Sequence, residues 1–512
     1  MALMQKLLAG SRGYRAIGLL LVAASAGACT VLLDRNKNQC ATDDDCETAF
    51  DSRASCQNNV CVDTGLQPKN CFLGTPSTPE EFANQCSSTA TCERFDNCAK
   101  AGMCDGNTML PPPVAPPPSM TSGTGAPPSP AQGVACIDPA RRTVIVGGST
   151  AIQPFLGVLA PLLAANSPPY QIVYQPSGSC TGVDGLFSPD AAKRNVKDIP
   201  GRPALLFHPD GSSEPCTFGD GSTTTIALDV AASDVYASSC SASYSATSLG
   251  EYLGPIQPMT FVVPGMSSET AISAEKAHVV FGRGSSDDHS KPYDDPSLYF
   301  VRNSGSGTQQ MLARAIGVEA KSWWGTDRGG SGAVRDLLKV INGTRVDNAI
   351  GILSTDFVDP ARPTLRILAF KATDQTCAYY PDSTQFTRDK ANVRDGHYAI
   401  WGPVHFYTEV NGGVPRTEGA QAFISRVAPT RLDKPLLDAI IHSGLVPPCA
   451  MKVQRTSEMG PITAFAPEFQ CGCYFEANVE GGTVPASCQA CAGPGDCPSS
   501  KQACNNGYCE VK

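Results

Sequence analysis

Twenty-three cysteines divide this 512-residue chain into three parts. Nine fall between Cys40 and Cys104, the spacing then opens, and after Phe469 they crowd together again as far as Cys509. The first cluster has little apolar periodicity, so cross-links must supply the stability that a core cannot. The two flanks are related. CATDDDCETAFDSRASCQNNVC (40–61) has the spacing C-x5-C-x9-C-x4-C, and CAGPGDCPSSKQACNNGYC (491–509) has C-x5-C-x6-C-x4-C, with Asp-Cys second in both. This predicts a small disulfide module used twice. Cys488-x2-Cys491 could be read as a zinc half-site, but it has no second pair or histidine knuckle, and no metal is expected.

So many thiols suit an oxidising compartment, and the amino terminus agrees. Lys6, Arg12 and Arg15 flank the apolar run AIGLLLVAASAGA, whose 13 residues are too few to span a bilayer and suit a signal-peptide core. It ends in Ser25-Ala26-Gly27-Ala28-Cys29, which resembles the bacterial lipobox except for Ala26, where a large aliphatic is usual. The resemblance implies removal of residues 1–28 and lipidation of Cys29; cleavage after an A-x-A site of an ordinary signal peptide stays open. Without Cys29, 22 cysteines remain, enough for eleven disulfides. Thr30 follows Cys29, which by analogy with lipoprotein sorting favours the outer membrane. The expected location is the cell envelope, periplasmic or at the outer-membrane surface, with a membrane contact through the lipid.

The formal charge of −9, with no long basic run, argues against nucleic-acid binding. Cys-rich residues 29–108 are followed by LPPPVAPPPSMTSGTGAPPSP, with nine prolines between Pro111 and Pro130. Residues 109–134 are therefore expected to be a linker, polyproline-like, at about 3 Å per residue and roughly 60 Å when stretched. Residues 135–457 have the composition of a globular α/β protein, and 458–512 form the second Cys-rich module.

Within 135–457, strand-like runs alternate with helical ones. RTVIVGG precedes STAIQPFLGVLAPLLAAN, in which Ile152, Phe155, Leu156, Leu159, Leu162 and Leu163 recur at helical spacing. YQIVYQ, TIALDVAAS, MTFVVPG, SLYFVRN and AIGILST read as strands, and SGTQQMLARAIG and GAVRDLLKVI as helices. The alternation predicts an α/β sheet with ligand sites at the strand carboxyl ends. Four such ends carry hydroxyls, glycines or charge: GGSTAIQP (147–154), GSCTG (178–182), AASD (231–234) and RNSGSGT (302–308). Helix amino termini offer unsatisfied N–H groups to an anion, glycines allow close approach, and Arg302 supplies a planar cationic fork.

On these residues the region from Thr143 to Pro448 resembles the phosphate-binding protein of the high-affinity phosphate ABC transporter, within the type II periplasmic binding proteins. Arg302-x3-Ser306-Gly307-Thr308 matches that family's arginine and Ser-Gly-Thr loop. GGSTAIQP matches its first turn, with Thr150 as hydroxyl and Ala151 where an aromatic is frequent. GSCTGV places Ser179 on phosphate, and AASD places Asp234 as the acidic residue. LLDAIIHSGLVPP resembles the closing helix. The likeness covers about three fifths of the chain, excludes both Cys-rich flanks, and departs from the family in an insertion carrying Cys180 and Cys216.

The resemblance implies two α/β lobes on a hinge, with lobe 1 about 140–253 and 405–457 and lobe 2 about 265–395. Thr150, Ala151, Ser179 and Asp234 would lie on the first, and Arg302, Ser306, Gly307 and Thr308 on the second. The hinge crossings are expected near 254–264 and 396–406. The implied partners are inorganic phosphate and an inner-membrane ABC permease, and the implied state is a monomer without cofactor. Catalysis is not expected: G-x-S-x-G, Walker A and HExxH are missing, and the six histidines are scattered. The proline spacer and Cys-rich modules lie outside the usual binding protein. They leave open a tethered sensor or adhesive lipoprotein reusing the fold, or a different oxyanion.

Overall fold

The computed structural model describes residues 40–41, 45, 54–57, 59–63, 71–87, 91–93, 95–103, 109–117, 134–219, 224–244, 249–482, 484–500 and 503–510. The expected signal peptide, Cys29, and residues 118–133 of the proline-rich stretch lie outside these. The chain divides into two units, Met1–Lys69 and Asn70–Lys512.

In the first unit, strand Ala54–Gln57 pairs antiparallel with Val60–Asp63, and Cys40 is bonded to Cys56. At the far end of the second unit, Ala503–Asn505 pairs with Tyr508–Glu510. Cross-strand partners are residues 56 and 61 in one hairpin and Cys504 and Cys509 in the other. Asn59 and Asn506 hold the left-handed turn positions, with φ of 63° and 53°. Asparagine tolerates that region better than most residues because its side chain can bond its own backbone. In the second hairpin Cys491 bonds Cys504 and Cys497 bonds Cys509. Cys40–Cys56 follows the same first-to-third pairing.

The α/β part is built on one long mixed sheet. In chain order its principal strands are β1 (Thr143–Gly148), β2 (Gln171–Pro176), β3 (Ala204–Phe207), β4 (Ser213–Thr217), β5 (Val230–Ser233), β6 (Leu249–Pro264), β7 (Tyr299–Val301), β8 (Ile350–Ser354) and β9 (Trp401–Asn411). Across the sheet they run β7-β8-β6-β9-β5-β1-β2-β3-β4. β1, β2 and β5 are mutually parallel on one side, and β7 and β8 are parallel on the other. Between the two halves lie the long antiparallel strands β6 and β9. The early part of β6 pairs with the far end of β9, a bulge intervenes between Leu253 and Ile256, and the later part pairs with β8. Two strands therefore run through both halves, which is a two-lobed α/β fold with a hinge.

Each half-sheet is covered on both faces, which explains the near-continuous apolar runs. In β1, Val144 and Val146 face α1 (Gln153–Ala164), packing with Phe155, Leu156 and Leu159, while Ile145 joins Val173, Val183 and Leu186 on the other face. In the second lobe α3 (Gly307–Ile316) buries Met311, Leu312 and Ile316 against Ile350 and Ile352. There α4 (Ser331–Lys339) buries Val334 and Leu338 against Phe300 and Leu353. Full burial of such side chains contributes roughly 1.5–3 kcal/mol each.

The amino-terminal segment is tied to the second lobe by Cys92–Cys377, and Gln375 Nε2 donates to the Ala83 carbonyl at 3.0 Å. The first part of the proline-rich stretch is anchored too. Val114 donates its N–H to Gly282 at 2.7 Å, and its carbonyl accepts from Trp324 Nε1 at 2.7 Å, while the Pro112 carbonyl accepts from Arg283 Nη1 at 2.7 Å. A prolyl run lacks most of its N–H donors, so its carbonyls do the binding. Among the described residues no helix is long and apolar enough to cross a membrane.

Candidate functional site

Every predicted binding loop begins where a strand ends. β1 stops at Gly148, and the Ser149 hydroxyl then accepts the Ala151 N–H at 3.1 Å, opening the turn Thr150–Ile152 that runs into α1. β2 stops at Pro176, and Ser179 is the first residue of α2 (Ser179–Phe187). β5 stops one residue before Asp234, β7 one residue before Arg302, and α3 starts at Gly307 directly behind Ser306. Gly148 lets the first and third loops come together. With φ of 131°, a Cβ there would lie 2.1 Å from the Ala232 carbonyl oxygen.

The eight predicted positions are all buried, and their loops meet. The Ser179 hydroxyl accepts the N–H of Asp234 and the N–H of Gly307, each at 3.2 Å, so one oxygen joins three loops and both lobes. Thr308 Oγ1 donates to Asp234 Oδ2 at 3.4 Å. Cys180 N–H donates to the Gly305 carbonyl at 3.1 Å, and Cys180 is bonded to Cys240, which secures the start of α2 beside the Asp234 loop. The cleft is closed.

Its electrostatics are unusual. Burial pushes the Asp234 carboxyl above its ordinary range, opposed by Ser149, Arg302, Ser179 and Thr308. Burial pulls the Arg302 guanidinium down to about 10, with Arg202 adding to the fall and Asp327, Asp234 and Tyr174 opposing it. Arg302 Nη1 donates to Ser331 Oγ at 3.0 Å, but its Nε is buried without a hydrogen-bond partner among the described residues. Asp234 Oδ1 is in the same condition. A buried acceptor and a buried cationic donor, one from each lobe, are costly when left unpaired. Both are satisfied by a species that accepts many hydrogen bonds and carries a proton of its own.

Three further residues at this place were not singled out by the sequence. Ser331 opens α4 behind Gly329-Gly330, and only the glycines before an amphipathic helix mark it. Gln257, one polar residue in the apolar run of β6, donates through Nε2 to the Ala151 carbonyl at 3.1 Å and to both Asp356 carboxylate oxygens at 3.2 Å. Asp356 lies in the short helix Thr355–Val358 after β8. A crossing strand thus ties the first binding turn to a carboxyl of the second lobe.

Burial pushes Asp356 up to about 8, with the charge of Asp234 adding to the rise. The folded protein therefore holds a proton that the unfolded chain releases near its ordinary value of 3.8. Stability contributed by this group is present at low pH and declines as pH rises from ~4 to ~8, by on the order of a few kcal/mol. Asp356→Asn, which mimics the protonated acid, is expected to flatten the pH dependence of the melting temperature across that interval. Parallel melting profiles for variant and wild type would refute it.

No family model matches the chain, and no curated protein matches it in sequence. In structure it is similar to an ABC-type phosphate transport receptor from Vibrio cholerae (16% identity, TM-score 0.39, covering 60% of this chain and 100% of that one). It is also similar to the phosphate-binding protein from Stenotrophomonas maltophilia (14%, 0.38, 60% and 91%). A third is the ancestral soluble variant of the human phosphate-binding protein (17%, 0.38, 60% and 90%).

Proposed function

We propose that the chain captures inorganic phosphate between its two lobes and delivers it to an ABC permease. The observation that carries this reading is the pair of buried atoms without a partner among the described residues, Asp234 Oδ1 and Arg302 Nε, set on opposite lobes. A tetrahedral oxyanion gives Arg302 its acceptors. Hydrogen phosphate also has a hydroxyl to donate to Asp234, whereas sulfate at neutral pH has none. Asp234 therefore accepts from phosphate and repels sulfate, a discrimination by an unpaired like charge. Ser179, Ser306 and Thr150 supply hydroxyls, while Ala151, Gly307 and Thr308, which donate to Ser149, Ser179 and Asp234, hold the loops around the ligand. Charge-assisted bonds of roughly 1.5–3 kcal/mol each, less ordering and closure costs, are compatible with micromolar affinity, about −8 kcal/mol.

Export, anchoring through a lipid on Cys29 and an envelope location belong to this proposal. A second reading, a tethered phosphate sensor, is favoured by the disulfide-bonded and proline-rich segments packed on the second lobe. Both readings require the same binding event.

Calorimetric titration with phosphate and with sulfate tests it. Wild type should bind phosphate and not sulfate. Asp234→Asn, which can donate to sulfate but no longer accepts as a carboxylate, should lose about 10–100-fold for phosphate and gain measurable sulfate binding. Absence of phosphate heat in wild type would defeat the proposal.

A further inference from the structure

Ser331 occupies a junction that the eight positions above leave undescribed. It is completely buried, at 0% exposure. Its Oγ accepts from Arg302 Nη1 at 3.0 Å and lies 3.1 Å from Thr150 Oγ1, in a bond that either hydroxyl can donate. Its backbone N–H donates to the same Thr150 oxygen at 3.1 Å. Thr150 is on the first lobe and Ser331 on the second, so this is a second set of bonds across the cleft, separate from the Ser179 and Asp234 set.

The hydrogens can be counted. Thr150 Oγ1 already accepts from the Ser331 amide, and Ser331 Oγ already accepts from Arg302. The bond between the two oxygens uses one of their two hydroxyl hydrogens. If Ser331 donates it, the Thr150 hydrogen is free; if Thr150 donates it, the Ser331 hydrogen is free. One donor is left in either case, held beside the guanidinium at the start of α4, where the helix dipole adds partial positive charge and the N-cap residue, Gly330, has no side chain of its own to cap the end. An acceptor-rich anion is what such a donor suits.

We propose that Ser331 is an additional ligand-contacting residue. It orients Arg302, and with Thr150 it forms a two-hydroxyl unit that presents a single hydrogen to the bound anion from either side of the cleft. This rests on the phosphate reading. It also separates two functions for Thr150, which serves both as donor and as the acceptor that holds the start of α4.

The test is calorimetry with inorganic phosphate on full-length wild type, Ser331→Ala, Thr150→Val and the double variant, each first checked for ligand-free melting. Ser331→Ala should lose about tenfold through the loosened Arg302. Thr150→Val should lose less, because Ser331 keeps a free hydrogen. The double variant, with no hydroxyl left, should lose at least about a hundredfold, more than the product of the single losses. If wild type binds but Ser331→Ala stays within about twofold of it, or the losses simply multiply, the inference is overturned while the phosphate reading stands. If wild type fails to bind, both fall. Should the double variant not fold, the Ser331→Ala arm alone decides.

Discussion

Arg302→Ala is expected to abolish detectable phosphate binding, a loss of at least about a thousandfold, while leaving the ligand-free protein folded. The guanidinium is a buried cation whose Nε lacks a partner among the described residues, so its removal deletes two or more charge-assisted bonds of about 1.5–3 kcal/mol each. The same change strands Asp234, whose carboxyl is held down in part by Arg302, so a like-charged ligand would meet a carboxylate with no counter-charge nearby. Arg302→Lys should rescue little, because an ammonium cannot replace the fork that reaches both Ser331 and a ligand. Stability should respond differently from affinity. Burying an incompletely paired cation is costly, so the ligand-free alanine variant should melt no lower than wild type by more than the packing it loses. Retention of phosphate affinity within about tenfold of wild type would contradict the assignment of Arg302 to the ligand.

The second large effect is expected at Gly307, where one methyl group acts against closure rather than chemistry. A Cβ there would stand 2.5 Å from Ser179 Oγ and 2.7 Å from Asp234 Cβ, both on the opposite lobe. Neither atom is the end of a long flexible side chain, so the lobes themselves would have to separate. Gly307→Ala keeps every proposed side-chain ligand yet denies the closed state, in which alone all the contacts are made. A binding-competent population cut to one part in a hundred lowers apparent affinity about a hundredfold. Calorimetry should register that loss. Small-angle scattering should show phosphate compacting the wild type but not the variant. Equal compaction of both proteins would mean that Gly307 is not at the closing face.

The difference between these two residues shows what a local pattern conveys. Arg302 and the Ser-Gly-Thr that follows it stand out because a cation, hydroxyls and a glycine at a strand end form a recognisable local grouping. Gly307 belongs to the same grouping, but the reason for its glycine is on the other lobe, in Ser179 and Asp234, 128 and 73 positions away. Gln257 and Asp356 leave almost no local mark. A glutamine inside an apolar strand and an aspartate in a short helix are each ordinary until Gln257 is placed between Ala151 and Asp356. The proline-rich stretch has the composition of a free spacer. Its first residues are anchored because Trp324, Arg283 and Gly282 happen to offer groups that prolyl carbonyls and the Val114 amide can use.

The linear order of residues alone determined the alternation of strands and helices, the loops at the strand ends and the repeated cysteine module. All of these are short-range: periodicities of two or 3.6 residues, caps, glycines and fixed spacings. Only the tertiary structure decided which cysteines pair, with Cys92 meeting Cys377 and Cys180 meeting Cys240. It alone placed Ser331 against Thr150 and tied Asp356 to the first binding turn. Those contacts join segments that are far apart along the chain, and their energy depends on packing that no window of neighbouring residues contains.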